Sequence, residues 1–264
     1  MNKILHASVS VLAAAFMASA MSSCADSYNI QGSSNVSTLD GRMLYIKVLK
    51  DSEFKNVDSS EVVHGQFAFN GTLDSVRMAN IFMDDENIMP IVLEDGNITV
   101  KIDNAQQTVS GTALNDKLFA FLKKFKQLEN QKVELVHKHD QALMDGQDET
   151  ALNQKLNAEA YRIADEEDKI LTSFVVENFD NVLGPGIFFM HTVGNEFPML
   201  DPWVEDIMSK ATDKFKNDPY VKEYYQKALE NQNIMNGMHE APAAAPQQPM
   251  PDGPTPNEMA KPAE

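Results

Sequence analysis

Ile98-Thr99-Val100-Lys101-Ile102-Asp103-Asn104-Ala105-Gln106-Gln107-Thr108-Val109-Ser110-Gly111-Thr112-Ala113-Leu114-Asn115-Asp116-Lys117-Leu118 is the stretch in which the chain changes its period. Through Ile102 apolar residues alternate with polar ones, the repeat of a strand with one buried face. From Leu114 they recur in steps of three and four, through Leu118, Phe121, Phe125 and Leu128, the repeat of a helix. Thr112 stands where an N-cap is expected. Strands come before this point and helices after it, so the fold class is α+β.

Before the switch, Leu44, Ile46 and Val48 alternate, as do Ala79, Ile81 and Met83. Val62, His64, Phe67 and Phe69 form two short runs around Gly65-Gln66, which reads as a two-residue hairpin loop with glycine first. Asp84-Asp85-Glu86-Asn87 and Asp95-Gly96-Asn97 read as further turns. Seven or eight short strands with polar turns predict an antiparallel β-sandwich or barrel-like domain over residues 28–110.

After the switch, the first helix is expected to run to about Leu143 and to break at Asp145-Gly146. A second carries Leu152, Leu156, Ala160, Ile163, Glu167, Ile170 and Phe174 on one stripe, so the pair should form an antiparallel helical hairpin. Gly184-Pro185-Gly186 is read as the end of this section. Asp201-Pro202 and Asp218-Pro219 each place an aspartate at N-cap and a proline at the first helical position. Trp203, Ile207, Tyr220 and Tyr224 are expected to face inward. The helical region spans residues 111–235. Residues 236–264 carry Pro242, Pro246, Pro249, Pro251, Pro254, Pro256 and Pro262 among Ala, Gln and Glu, a composition expected to stay extended and disordered.

At the other end, Lys3 and a short apolar run from Ala7 to Ala20 lead to Met21-Ser22-Ser23-Cys24, with the chain's one cysteine at its end. The run is shorter than the ~20 apolar residues of a membrane span. Residues 1–23 therefore read as a lipoprotein signal peptide and Cys24 as the acylated residue of a lipobox, with residues 24–27 as the tether. Ala25, rather than Asp, follows Cys24, which points to the outer membrane, with the periplasmic face as the expected side. The tether reaches only ~10 Å when extended, so the β domain is expected to sit close to the membrane.

The chain carries 22 basic and 39 acidic residues. Losing the leader removes only Lys3, and the net charge moves from −17 to −18. Nucleic acid is excluded as a partner by such a surface. A single cysteine also excludes an intramolecular disulfide.

Several clusters resemble sites on paper. His137-Lys138-His139-Asp140 has two imidazoles, but residues two apart on a helix lie about 200° apart, so they read as a solvated face. Asp165-Glu166-Glu167-Asp168 reads as a charge run, with Glu167 on the apolar stripe. Asp84-Asp85-Glu86 lacks the alternating ligand spacing of a calcium loop. Met235, Met238 and His239 are soft copper ligands in type, at what reads as the end of a helix. No nucleophile elbow or phosphate loop is present, and neither metal nor cofactor is expected. Asp74-Ser75-Val76 resembles a short O-glycosylation motif, which makes Ser75 a candidate acceptor.

A wider resemblance runs through Tyr28-Asn29-Ile30-Gln31-Gly32, Leu39-Asp40-Gly41, Asp58-Ser59 and Gly65-Gln66-Phe67-Ala68-Phe69-Asn70-Gly71. It continues through Val92-Leu93-Glu94-Asp95-Gly96, Val109-Ser110-Gly111-Thr112-Ala113-Leu114-Asn115-Asp116 and Asn181-Val182-Leu183-Gly184. In order and spacing these fragments resemble DUF4369, the domain of unknown function that precedes thioredoxin-like domains in Bacteroidetes lipoproteins. The redox work of such proteins belongs to a downstream Cys-x-x-Cys pair, which this chain does not contain. Thiol–disulfide exchange needs an attacking thiolate and a resolving partner, so the resemblance implies no enzyme activity here. The expectation is a lipid-anchored binding or scaffold module for another envelope protein, for which the resemblance implies a thioredoxin-like protein acting in trans as a candidate. An exposed apolar patch on the helical hairpin would favour it. A receptor for a small lipid or glycan is the alternative, favoured by an apolar pocket between sheet and helices.

Overall fold

A computed structural model describes residues 26–50 and 53–237. Cys24 and the residues from Met238 onward lie outside them. Eight strands precede the helices: β1 (Ser27–Ser34), β2 (Met43–Lys50), β3 (Glu53–Glu61), β4 (Gln66–Thr72), β5 (Arg77–Met83), β6 (Glu86–Leu93), β7 (Gly96–Ile102) and β8 (Gln107–Ser110). They form two four-stranded sheets, in the orders β4-β1-β7-β8 and β3-β2-β5-β6. Alternate side chains of both sheets meet in one core, with Ile30, Leu44, Ile46, Phe69, Ile81, Ile91, Ile98 and Val100 at most 1% exposed. The α+β reading holds, with one addition. β1 lies parallel to β7, Ile30 opposite Ile98 and Gly32 opposite Val100, so the first sheet is mixed. β1 has no hairpin neighbour in sequence. It takes a central position, antiparallel to β4 on its other side, where both its edges are hydrogen-bonded.

The hairpin between β3 and β4 turns one residue earlier than the sequence suggests. Its central residues are His64 and Gly65, both left-handed at φ 52° and 71°, with Val63 and Gln66 exchanging backbone hydrogen bonds of 2.9 and 3.0 Å. Two left-handed central residues match the right-handed twist of paired strands, so glycine serves here as the second. β3 and β4 belong to different sheets, so this turn is a corner of the sandwich. A second bridge joins the sheets nearby: the buried Tyr28 of β1 donates its hydroxyl to Asp58 of β3 at 3.1 Å.

Six helices follow: α1 (Ala113–Met144), α2 (Glu149–Glu177), α3 (Leu183–Thr192), α4 (Pro202–Lys210), α5 (Asp213–Lys216) and α6 (Pro219–Met235). α1 and α2 form the expected hairpin, closed by Gly146 at φ 70° and capped by Asp148. Leu128, Leu135 and Ile163 fill its outer seam. Glu167 lies on that seam and pairs with Lys132 at 2.7 Å. Asp201 and Asp218 cap α4 and α6 ahead of their prolines, as expected. Ile207 and Tyr224 are buried, and Trp203 stacks on Phe188 at 5.6 Å.

Gly184-Pro185-Gly186 does not end a section; it forms the first turn of α3. The leading residues of a helix need no intrahelical N–H bond, so a proline there costs nothing. The glycines allow close packing. A Cβ on Gly184 would lie 2.5 Å from the Asn178 carbonyl oxygen, and one on Gly186 would lie 2.6 Å from Met78. Asn178 is fully buried, donates to the Phe174 carbonyl at 2.6 Å and accepts from Asn181 at 2.9 Å, turning the chain from α2 into α3.

The junction between sandwich and helices is made at the start of α1. Thr112 is at N-cap, but its side chain makes no capping bond. The carboxylate of Glu94, just past β6, does so instead. It accepts the backbone N–H groups of Leu114 and Asn115 at 2.9 and 3.0 Å, two of the donors a helix start leaves unpaired. The Asn115 side chain is fully buried. It accepts the Val92 N–H at 2.9 Å and donates to the Val92 carbonyl at 2.8 Å, pairing with the edge of β6 as a further strand would. Gly111 precedes this turn at φ 105°, where a Cβ would meet the Asn97 carbonyl oxygen at 2.5 Å. Beyond the junction, β6 is covered on both faces: Ile91 and Leu93 face the sandwich core, and Val92 faces the helical core.

Two predictions follow from these contacts. Asn115→Ala leaves both backbone groups of Val92 buried and unpaired, which should cost about 2–4 kcal/mol in urea unfolding; a loss below about 0.5 kcal/mol would contradict this role. Burial, then the Asp58 charge and its hydrogen bond, push the Tyr28 hydroxyl from 10.0 up to about 12. The folded state therefore holds this proton more tightly than the unfolded chain. Its contribution is complete below pH 10 and is lost as pH rises through 12. Over that window stability should fall more steeply than in Tyr28→Phe; equal slopes would contradict the assignment.

Candidate functional site

The sequence-level clusters do not converge. His137 is exposed, and His139 Nδ1 lies 3.4 Å from the Asp140 carboxylate. Asp165 pairs with Lys169 at 2.6 Å and Glu166 with Arg162 at 3.4 Å, both one helical turn apart. Asp84 pairs with Arg42. Lys47 donates to the Asp84 carbonyl at 3.1 Å and lies 3.7 Å from the Asp85 carboxylate, so the acidic turn is matched by protein cations. Among the described residues, no three His, Cys, Asp or Glu side chains gather as metal ligands. Met235 is exposed at the end of α6; Met238 and His239 lie outside the described residues.

On the helical hairpin the large apolar side chains that stay exposed are Val133, Val136, Leu143, Met144 and Tyr161. Val133 and Tyr161 are 55% and 76% exposed. Each is two residues from a buried seam residue, Leu135 or Ile163, and so faces about 200° away from the seam on its own helix. Val133, Val136, Leu143 and Met144 fall within an arc of about 100° on α1, and Tyr161 stands alone on α2.

The apolar concavity lies elsewhere, between the second sheet and the short helices. A groove of about 680 Å³ is walled on one side by Val48, Leu49, Val76, Met78 and Asn80, and on the other by Val182, Pro185, Phe189, Met190, Pro219 and Tyr220. Lys50, Ser75, Arg77, Asp218 and Glu223 also line it. α3 supplies Pro185, Phe189 and Met190 to that second wall, and Gly186 lets the helix settle on Met78 of β5. A row of aromatic rings continues along it. Phe82 meets Phe54 at 5.1 Å, Phe54 meets Phe189 at 6.5 Å, and Phe189 meets Tyr220 edge-on at 4.8 Å.

Polar atoms at the groove are mostly engaged in the fold. Asp218 accepts the N–H groups of Tyr220 and Val221 at 3.1 and 3.2 Å; burial pushes its carboxyl up, and these two bonds oppose that. The Tyr220 hydroxyl lies 3.0 Å from Thr192 Oγ1, with its own proton held more tightly because of burial. Glu223 pairs with Lys227 at 2.7 Å. Ser75, the candidate acceptor, is exposed on the loop between β4 and β5 and receives a hydrogen bond from Arg77 at 3.3 Å. The arrangement offers apolar and aromatic contact, a mixed-charge rim and backbone edges.

The family model of a domain of unknown function, DUF4369, matches residues 28–118. This segment is a DUF4369 domain. No curated protein matches the chain. The DUF4369 match runs past the last strand and into α1, taking in Asn115, which ties the helix to β6, and Leu118, which is fully buried. The first turn of the helix thus belongs physically to the domain. No helix of the described residues is long and apolar enough to cross a membrane.

Sequence reading missed the groove because its walls come from distant stretches around residues 48–50, 75–80, 182–190 and 218–223. One signal was present: Ile187-Phe188-Phe189-Met190 is apolar all round its helix, with only part of that surface buried. Val76→Arg, at a 42% exposed position of the groove, should leave urea stability within about 0.5 kcal/mol. It should also abolish the fluorescence gain of an environment-sensitive apolar dye. Undiminished dye binding would show that the groove does not accept apolar groups.

Proposed function

We propose that this chain is a non-catalytic, lipid-anchored binding module of the bacterial envelope. Cys24 is acylated in the outer membrane, the folded body faces the periplasm, and the groove takes a segment of another envelope protein. The observation that carries this reading is the groove itself. It is largely apolar and aromatic and is walled jointly by the DUF4369 domain and the helices that follow. An extended polypeptide suits such a surface, with ring contacts supplying affinity and alternate side chains supplying specificity. The net negative surface keeps nucleic acid away. A thioredoxin-like protein is one partner that the domain's resemblance suggests.

The same groove supports a second reading. Its volume falls within the range of small-ligand sites, so a lipid or glycan ligand fits the geometry too.

Crosslinking the lipidated protein in native membranes separates the two. One recurring envelope protein, recovered with the wild type and lost with Val76→Arg, is the expected result. A recurring lipid or glycan without protein would favour the receptor. Cys24→Ala should abolish acyl labelling and release the chain from the membrane fraction; retention would contradict the anchor.

A further inference from the structure

We propose that the chain's own proline-rich C-terminal segment occupies the groove, so that a partner must displace it. This rests on the reading of the groove as a surface for extended polypeptide.

Aromatic-lined grooves select proline-rich chain for a physical reason. Such chain is already biased toward an extended polyproline helix, so little entropy is lost when its rings lie on aromatic faces. Phe189 and Tyr220 supply those faces here, with Phe54 extending the row and Met190 and Val76 beside it. The ligand chemistry is present in the same chain: Pro246-Gln247-Gln248-Pro249 and Pro251-Asp252-Gly253-Pro254 each place prolines three residues apart. That is the repeat with which one edge of a polyproline helix recurs.

The connection reaches. α6 starts in the groove, at Pro219 and Tyr220, and ends at Met235, ~22 Å along its axis from Tyr220 at the rise of an α-helix. The ten residue steps from Asn236 to Pro246 span ~31 Å at the rise of a polyproline helix, enough to return along α6 to its start. Charge agrees as well. Between Met238 and Glu264 the segment holds Glu240, Asp252, Glu258 and Glu264 against Lys261, and Lys50 stands on the sheet side of the groove, near Arg77, which is itself held by Ser75 at 3.3 Å and lies 4.0 Å from Asp74. Asp218 and Glu223 on the α6 side are occupied by the helix cap and by Lys227. A short tether gives an effective concentration in the millimolar range, so modest ring contacts suffice to populate the docked form.

The test is a photo-crosslinking residue at Met190, 39% exposed on the groove wall, in the full lipidated chain in detergent. The expected product is an intramolecular crosslink mapping to residues 242–256, in yield independent of dilution. The quadruple variant Pro246→Ala, Pro249→Ala, Pro251→Ala and Pro254→Ala should reduce that yield at least fivefold while the far-UV circular-dichroism spectrum, which reports that the body is folded, stays unchanged. Absence of products in this segment, an unchanged yield in the quadruple variant, or crosslinked dimers that vanish on dilution would each overturn the proposal. Partner capture that still depends on Val76 under those outcomes would leave the binding-module reading standing.

Discussion

The side-chain amide of Asn115 against the backbone of Val92 is the constraint on which the rest of the architecture depends. β6 is the outer strand of its sheet, and its unpaired backbone groups would otherwise be buried without partners where the helices cover it. One asparagine pairs both groups of Val92. Glu94, two residues on, closes the first turn of α1. The sandwich therefore sets both where the helical region begins and the direction in which it leaves. Val92 and Met78 then become part of the helical core, and α3 settles across the sheet. The groove is what remains between that helix, the start of α6 and the strands.

The parts of this structure legible in the sequence are those that local chemistry decides. The change of period at Leu114 located the boundary between strands and helices, because side-chain repeat follows backbone geometry directly. Asp201-Pro202 and Asp218-Pro219 gave helix starts, since cap and first-turn proline lie next to each other in the chain. What escaped depends on partners far apart. Nothing beside Thr112 indicates that Glu94, from another element, would cap α1. Strand patterns carry no direction, so the parallel β1–β7 pair had no signature. Gly184-Pro185-Gly186 looked like a break because its value lies in close approach to Asn178 and Met78, both remote in sequence.

The acidic clusters and paired histidines show the converse. Their residues are close in sequence but point apart or are matched by neighbouring cations, so they form ion pairs along a helix and at a turn instead of converging. In the proposed reading, the tether at Cys24 leaves little length before β1 and holds the sandwich near the membrane. The groove then serves a neighbour in the same layer, where a modest interface benefits from high local concentration.

Hydrogen exchange at the Val92 amide tests the central claim most directly. If the Asn115 junction joins sandwich and helices into one cooperative body, that amide opens only with global unfolding, at the same free energy as the Ile46 and Ile81 amides of the inner strands. Exchange of Val92 at markedly lower free energy, while those inner amides stay protected, would mean that the helices detach on their own and that the groove is not a fixed feature of the fold.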